Sequence, residues 1–115
     1  MKTVLSLLIA RFSIMPRRGN SNWRYVYVLL SAKDGNLYIG NTKNLKHRID
    51  QHNAKRSFAT KSRAPLRLIY VEACKDEQDA KRRENYLKTS QGGRFLKLRL
   101  KNFIKGQSES AQNYI

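Results

Sequence analysis

The sequence has few cysteines and few acidic residues, and both shortages narrow the class of protein. Because Cys74 is the single cysteine, an intrachain disulfide and a cysteine-rich zinc site are excluded. Cys74 ends an apolar run, where a small core residue is expected. The absence of a second cysteine fits a protein of the reducing cytosol. The 8 aspartate and glutamate residues stand against 24 lysine and arginine residues, giving a formal net charge of +16. We therefore expect a cytoplasmic, strongly basic protein.

The excess of positive charge predicts a polyanionic partner. A compact fold this basic repels itself, and nucleic acid is the commonest partner that offsets such repulsion, with counterion release supplying much of the affinity. Charge alone favours a protein that only binds, such as a basic ribosomal or chromatin-like protein, over an enzyme. At 115 residues the chain has the length of one domain.

The chain also lacks an apolar run long enough to span a membrane as a helix. Residues 4–10 are apolar apart from Ser6 and follow Lys2, as in a short signal peptide, but no small-residue cleavage site precedes the basic pair at 17–18. Met15 offers a second plausible start. Residues 1–22 are thus expected to be an extension or an over-called start. An N-terminal membrane anchor is the less favoured alternative, and no stable membrane association is expected.

Turn and strand signals predict a β-hairpin over residues 23–40. Residues 24–30 are rich in strand-forming side chains, and Asp34-Gly35 is a strong turn signal. A two-residue turn there would place Tyr27 and Tyr38 on one face, whereas a one-residue slip would separate them. The sequence leaves this register open. Large side chains on both faces predict helices on at least one side of the hairpin.

The remaining signals complete an α+β fold. They predict a helix over 45–53 capped by Asn44, a basic loop, a third strand over 66–73, and a second helix from Asp76 to about Ser90 that ends at Gly92-Gly93. The length of the amphipathic segment 94–105 favours a further helix, and a polar C-terminal tail is expected over 106–115. The predicted order is β-β-α-β-α-α, with a small three-stranded antiparallel sheet flanked by helices. Neither a Rossmann glycine fingerprint nor a P-loop is present.

The first predicted helix has polar residues on its apolar stripe. Arg48 and His52 are four residues apart and therefore lie on the same side of the helix as its apolar side chains. An arginine directed at a core is costly unless an anion or a water-filled cleft receives it. The alternative is that Arg48 reaches solvent or pairs with a nearby carboxylate such as Asp50 or Glu84.

The second predicted helix shows the same anomaly with the opposite charge. Glu84 shares an inner stripe with Ala80 and Leu87, while the lysines and arginines beside it can face solvent. It is either the buried partner of a cation or one ligand of a divalent metal ion. One carboxylate is chemically sufficient for the second role, because Mg²⁺ commonly takes one or two protein carboxylates.

Together these residues resemble the GIY-YIG nuclease family. The two signature halves correspond to Tyr-Val-Tyr at 25–27 and Tyr-Ile-Gly at 38–40, and the next helix resembles the family's N-L-x-x-R motif, which ends at Arg48. His52 matches a position often occupied by histidine or tyrosine, and Glu84 matches the metal-binding glutamate. Five elements thus occur in order at fitting spacings.

The resemblance covers roughly residues 23–104 and implies a nuclease domain over 23–105. It is closest to small stand-alone bacterial members related to the nuclease domain of the excinuclease C repair subunit. Two departures stand out. Tyr25 replaces the first signature glycine, which should affect backbone packing more than chemistry. Asn41 stands where many excinuclease-type members have a lysine, and the loss of that lysine weakens or shifts the general base if the lysine lowers a tyrosine pKa.

The resemblance implies a metal-dependent endonuclease mechanism. Tyr27 or Tyr38 would act as general base, and the sequence leaves the choice between them open. Because a free tyrosine titrates near 10, either one needs a nearby cation that favours the phenolate. Arg48 would neutralise charge on the phosphate, and His52 would orient the base or share its proton. Glu84 would hold one Mg²⁺ or Mn²⁺ ion near the leaving group. No small-molecule cofactor is expected.

DNA is the expected substrate, with RNA not excluded. Basic side chains around the proposed cleft form a plausible phosphate track, namely Lys43, Lys46, Lys55, Arg56, Lys61 and Arg63. Recognition would follow nucleic-acid structure, single-stranded or branched, more than base sequence, and Phe58 permits stacking on single strands. The alternatives are a catalytically inactive binding module on the same fold and, less favoured, a basic structural protein. The pathway, DNA repair among others, and the oligomeric state stay open.

Overall fold

A computed structural model describes residues 22–55 and 60–112, with side chains described as far as residue 107. The predictions for residues 1–21, Arg56 and Phe58 lie outside the described residues. The described residues form three strands and four helices: β1 (Arg24–Ser31), β2 (Leu37–Thr42), α1 (Leu45–Asn53), β3 (Leu66–Cys74), α2 (Glu77–Leu87), α3 (Ser90–Arg99) and α4 (Lys101–Gln112). The predicted α+β fold with an antiparallel three-stranded sheet is confirmed, with one helix more than expected.

The sheet has the strand order β2-β1-β3, so β1 is central and β2 is an edge strand. Tyr27 of β1 is paired with Gly40 on one side and with Val71 on the other. Residues 25–29 are all buried, because both faces of the sheet are covered. Helices therefore lie on both faces, where the sequence predicted at least one.

The two faces of the sheet have separate cores. On the first face Tyr25, Tyr27 and Leu29 pack with Leu45 of α1 and with Leu66. We call this the tyrosine face. On the opposite face Val26 and Val28 pack with the helices α2 and α3 through Ala80, Leu87 and Leu96. We call this the valine face. The alternation of side chains along β1 assigns each residue to one core or the other.

The register of the hairpin differs from that of a two-residue turn. A two-residue turn at Asp34-Gly35 would pair Tyr38 with Ser31, but Tyr38 is paired with Leu29. Residues 32–36 form a longer loop, in which Gly35 has a φ of +73°. The difference is two residues, so it leaves every side chain on the face it would otherwise occupy. Tyr27 and Tyr38 consequently lie on the same face.

The predicted end of the second helix is wrong. α2 ends at Leu87, and Gly92-Gly93 lies in the first turn of α3, where the Thr89 hydroxyl accepts a hydrogen bond from the Gly92 amide at 3.1 Å. A Cβ on Gly92 would lie 2.0 Å from the carbonyl oxygen of Tyr86 and 2.5 Å from the Cα of Leu87. Glycine at 92 thus permits close packing of α3 against the end of α2, which local sequence signals do not reveal.

The segment 94–105, predicted as one helix, is divided between two. α3 ends at Arg99 with Leu100 as its C-cap, and α4 begins at Lys101 and continues to Gln112 through the segment predicted to be a polar tail. Within the described ranges, no helix combines the length and the apolar character needed to cross a membrane.

Candidate active site

α1 begins at the predicted residue, and its predicted inner side faces the core. The Asn44 side chain accepts a hydrogen bond from the backbone N–H of His47 at 3.1 Å, which caps the helix at Leu45. Leu45 and His52 are both buried on the inner side of the helix. The predicted stripe is therefore confirmed, and it places His52 and Arg48, one turn apart, against the tyrosine face of the sheet.

A chain of three side chains forms the centre of the site. The phenol oxygen of Tyr27 lies 3.0 Å from Nε2 of His52, and Nδ1 of the same ring lies 2.6 Å from the Thr60 hydroxyl. All three residues are buried, with His52 and Thr60 wholly inaccessible to solvent. Both nitrogens of a buried imidazole are thus satisfied.

Gly40 makes room for the Tyr27 phenol. A Cβ at this position would lie 2.5 Å from the Tyr27 hydroxyl oxygen and 2.7 Å from the ring carbon that bears it. The glycine of the second signature half therefore allows the ring to cross the neighbouring strand and reach His52.

Tyr38 completes the aromatic group on the tyrosine face. The centroid of its ring lies 5.0 Å from that of His52 and 6.4 Å from that of Tyr27. The contact with His52 is edge-on, at an interplanar angle of 61°. Tyr38 is only half-buried, so its ring lies between the buried pair and solvent.

The Arg48 guanidinium acts on both tyrosines through its charge. It donates a hydrogen bond to the Gln51 side chain at 3.1 Å, and it interacts electrostatically with the phenols of Tyr27 and Tyr38. Burial lowers the pKa of Arg48, but the two phenols outweigh it and hold that pKa above its ordinary value. Among the described residues no ion pair joins Arg48 to Asp50 or Glu84, so a phosphate can approach the guanidinium without displacing a carboxylate.

These surroundings fix the protonation states at the centre. Burial raises the pKa of Tyr27 above 10, and although Arg48 opposes the rise, the phenol is protonated at neutral pH. Burial and the positive charge of Arg48 lower the pKa of His52 from 6.5 to about 4. At pH 7 the site therefore contains a neutral phenol, a neutral imidazole and a guanidinium cation.

Glu84 lies on the valine face, across the sheet from the tyrosines. It is buried on α2, as predicted, and Asn41 of β2 donates a hydrogen bond to its Oε1. Lys88 donates to its Oε2 at 2.6 Å, and the Lys81 ammonium lies 3.8 Å from Oε1. Burial raises the pKa of Glu84, but the hydrogen bonds from Lys88 and Asn41 outweigh it and lower the pKa, so the carboxylate is ionised.

The two halves of the site are separated by the edge strand β2. Tyr38 and Gly40 belong to the tyrosine face, and Asn41 belongs to the valine face, because successive residues of a strand point to opposite sides. The charge of Glu84 is one of the causes that raise the pKa of Tyr27. The arrangement thus presents a cationic and an anionic centre on the two sides of one edge strand.

The donor set around Glu84 is sparse for a metal ion. Within 22–55 and 60–112 no group of three or more histidine, cysteine or acidic side chains is placed to hold one. A single ionised carboxylate suits Mg²⁺, which can fill its other positions with water and phosphate oxygens. The Lys88 ammonium already neutralises that carboxylate, so a metal ion must compete with it or share it.

The predicted phosphate-binding residues that the structure describes fall into two groups. Four of them are exposed, around α1 and at the start of the turn that follows it: Lys43, Lys46, Lys55 and Lys61. Arg63 is engaged within the protein instead, 3.2 Å from the Asp34 carboxylate and 3.2 Å from the Leu37 carbonyl oxygen. It ties the turn before β3 to the β1–β2 loop.

Three residues of the site were not among the predicted functional residues. Lys88 stands four positions after Glu84, a helical spacing that was available in the sequence. Asn41 was noted only as a departure from the family pattern. Thr60 lies in a basic loop without periodicity, so no local signal marks it.

Comparison with known proteins gives consistent matches. A model of the GIY-YIG catalytic domain matches residues 24–94. A UPF0213 protein of Desulfotalea psychrophila is 41% identical over 75 residues, which cover 64% of this chain and 66% of the relative. A UPF0213 protein of Clostridium perfringens is 36% identical over 91 residues, covering 78% and 91%. The solution NMR structure of a UPF0213 protein from Bacillus halodurans is 31% identical in sequence. The match covers 64% of this chain and 81% of that protein, with a TM-score of 0.41.

Proposed function

The chain belongs to the GIY-YIG catalytic-domain family, a family of nuclease domains, and on this basis we propose that it is a divalent-metal-dependent endonuclease that hydrolyses phosphodiester bonds in DNA. The observation that carries the proposal is the Tyr27 phenol, held 3.0 Å from a neutral, buried histidine and beside the Arg48 guanidinium. A protein that only binds nucleic acid has no need of such a group.

The general base is best supported as Tyr27 acting with His52. As a water molecule attacks phosphorus, its proton passes to the Tyr27 oxygen while the proton of Tyr27 passes to Nε2 of His52. His52 is a weak base partly because Arg48 is positive. A phosphodiester bound at Arg48 offsets that charge and so raises the proton affinity of His52 when substrate is present. Tyr38, half-buried beside the pair, would position the water or the phosphate.

Arg48 and Glu84 would stabilise the charges that develop on the phosphate. The guanidinium of Arg48 offers donors to its non-bridging oxygens. Glu84 would hold the Mg²⁺ or Mn²⁺ ion, which supplies Lewis-acid stabilisation of the leaving oxygen when bound. Asn41 donates to Glu84 and orients the carboxylate for this purpose.

The proposed substrate is single-stranded or branched DNA. Lys43, Lys46, Lys55 and Lys61 are exposed, and contacts of this kind to phosphates position a nucleic acid without reading its bases. Selectivity would then depend on which structures allow a scissile phosphate to reach Arg48 at the edge of the sheet. A cytoplasmic location fits this proposal.

A second candidate, an inactive nucleic-acid-binding module, is favoured by one observation. Glu84 is already neutralised by Lys88 at 2.6 Å, and a carboxylate that never releases this partner would hold no metal ion. The fold and the basic surface would then serve binding alone.

Cleavage assays separate the two candidates. End-labelled single-stranded, duplex, flap and branched DNA, with a matched RNA, would be incubated with Mg²⁺, Mn²⁺ or EDTA. We expect metal-dependent cleavage by the native protein, and no detectable cleavage but near-normal binding by Arg48→Ala and Glu84→Ala. Arg94→Ala, which removes an exposed arginine of α3, is the matched control and should cleave normally. If the native protein cuts none of the substrates with either metal, the binding module is the better description.

A further inference from the structure

The hydrogen on the His52 ring determines what the Tyr27 phenol can do. Both ring nitrogens of this buried residue have a partner, Tyr27 at Nε2 and Thr60 at Nδ1. If the hydrogen is on Nδ1, Nε2 accepts a hydrogen bond from the phenol. If it is on Nε2, the ring donates to the phenol oxygen and cannot accept its proton. The hydrogen bond at one nitrogen sets the tautomer at the other.

The buried Tyr27 hydroxyl distinguishes the two arrangements. Tyr27 is 1% exposed, and its O–H needs an acceptor because buried polar groups are hydrogen-bonded. Nε2 of His52, 3.0 Å away, is placed to receive the O–H, whereas a guanidinium such as that of Arg48 has donors and no acceptor. Since the imidazole is neutral at pH 7, its one hydrogen is on Nδ1 and is donated to the Thr60 oxygen at 2.6 Å.

We infer that Thr60 is a positioning residue of this site, whose hydroxyl accepts the Nδ1–H of His52 and thereby holds the tautomer that can take a proton from Tyr27. Thr60 does not touch the substrate and acts only through His52. The catalytic consequence of this inference rests on the proposed nuclease function, whereas the tautomer does not.

The fold holds Thr60 in place through a short turn. The Thr60 carbonyl accepts a hydrogen bond from the Arg63 amide at 2.8 Å, and the Ser31 hydroxyl of β1 donates to the Arg63 carbonyl at 2.5 Å. The Arg63 side chain in turn binds Asp34 and the Leu37 carbonyl. The position of the Thr60 hydroxyl is therefore set by the hairpin that also contains Tyr27 and Tyr38.

Replacing Thr60 by valine removes the acceptor while nearly preserving shape. A buried Nδ1–H without a partner is unfavourable, so we expect the hydrogen to move to Nε2, from which the ring donates to Tyr27. Nε2 then no longer accepts the phenol proton. Thr60→Ser keeps the hydroxyl and should keep the native tautomer.

The test is a two-bond ¹H–¹⁵N correlation spectrum of the imidazole rings. The chain has two histidines, and replacing the exposed His47 by glutamine leaves His52 as the single source of signal. In the His47→Gln protein we expect protonated Nδ1 and unprotonated Nε2, with the same pattern after Thr60→Ser and a reversed or mixed pattern after Thr60→Val. Protonated Nε2 in the His47→Gln protein overturns the inference even if the valine variant does not fold.

Kinetics on a cleaved substrate provide the second readout. Thr60→Val should lower kcat by about tenfold to a hundredfold, less than the complete loss of a general base, with KM nearly unchanged, and Thr60→Ser should restore most of kcat. Ser31→Ala loosens the same turn without touching His52, so it should lower stability and leave the tautomer native. If the His52 tautomer is unchanged in Thr60→Val, the inference about Thr60 is wrong. If the native protein binds nucleic acid but never cleaves it, only the proposed function is wrong.

Discussion

His52 shows at the scale of one residue how burial sets chemistry. It is inaccessible to solvent and lies among Tyr27, Tyr38, Thr60 and the Arg48 cation. Protonation in this environment costs desolvation and adds a like charge beside Arg48, and its pKa falls to about 4. The ring is thereby kept neutral over the physiological range.

This depressed pKa predicts that acid destabilises the protein. Between pH 6.5 and about 4 the unfolded chain binds a proton at His52 that the folded protein does not. The contribution of His52 to the free energy of unfolding is therefore fully present above pH 6.5 and is lost as the pH falls towards 4. The contribution lost should be about 3 kcal/mol at most. Urea denaturation across this range measures it. His52→Gln should flatten the slope and His47→Gln should not; an equal slope in both would contradict the assignment.

Lys88 lies close enough to Glu84 to affect metal binding there. Its ammonium lies 2.6 Å from Glu84 and competes there with any metal ion. Lys88→Met should therefore raise the affinity of Glu84 for Mn²⁺ by about tenfold, or roughly 1.4 kcal/mol, in a calorimetric titration. The matched control is Lys81→Met, whose ammonium is 3.8 Å away and which should have a smaller effect. Weaker metal binding in Lys88→Met would show that the lysine supports the site.

At the scale of elements, the junction of α2 and α3 depends on one glycine. Gly92 lies against the backbone of Tyr86 and Leu87, while a Cβ on the adjacent Gly93 would meet nothing within 4 Å. The packing holds Leu87 and Leu96 in the core of the valine face. It also sets the end of the helix from which Glu84 and Lys88 extend.

We expect substitution by alanine to affect the free energy of unfolding differently at the two glycines. Gly92→Ala should lower the free energy of unfolding by about 1–3 kcal/mol or more, because the backbone must move to admit the methyl group. Gly93→Ala should be neutral or stabilising by up to about 1 kcal/mol, because alanine favours helix. Guanidinium denaturation of both variants gives the comparison. Similar values for the two would mean that α3 can shift away from α2 at little cost.

At the scale of the whole molecule, the net charge of +16 should make nucleic-acid binding strongly dependent on salt. Each phosphate contact that is lost reduces the slope of log affinity against log salt by about 0.7 for single strands and 0.9 for duplex. Lys43→Gln and Lys46→Gln should each reduce it by about this amount, since both side chains are exposed. Fluorescence anisotropy at several salt concentrations measures the slopes.

Arg63→Gln is the contrasting variant in that experiment. Its guanidinium binds Asp34 and the Leu37 carbonyl, so we expect a loss of stability larger than its effect on the salt slope. A loss of slope as large as that of Lys43→Gln, with unchanged stability, would show that Arg63 contacts phosphate.

Local patterns in the sequence were sufficient for most of the elements. The hairpin, the cap and bounds of α1, the third strand and the inward direction of His52 and Glu84 follow from turn residues and from helical or strand periodicity, which act over a few positions. The same patterns failed at Gly92, because its role depends on the approach of another segment of backbone. The division of residues 94–105 between α3 and α4 was not predicted, because no helix-breaking residue marks the boundary in the sequence.

The net charge, which first pointed to nucleic acid, follows from composition alone. The order of the candidate site residues along the chain was likewise determined by the sequence, namely Tyr27, Tyr38, Arg48, His52 and Glu84. Only the tertiary structure decided that the tyrosines share one face while Glu84 lies on the other, and that Thr60 and Asn41 complete the two halves. The reason is that hydrogen bonds such as His52–Thr60 and Asn41–Glu84 join elements distant in the chain. Their geometry exists only once both cores have closed around the sheet.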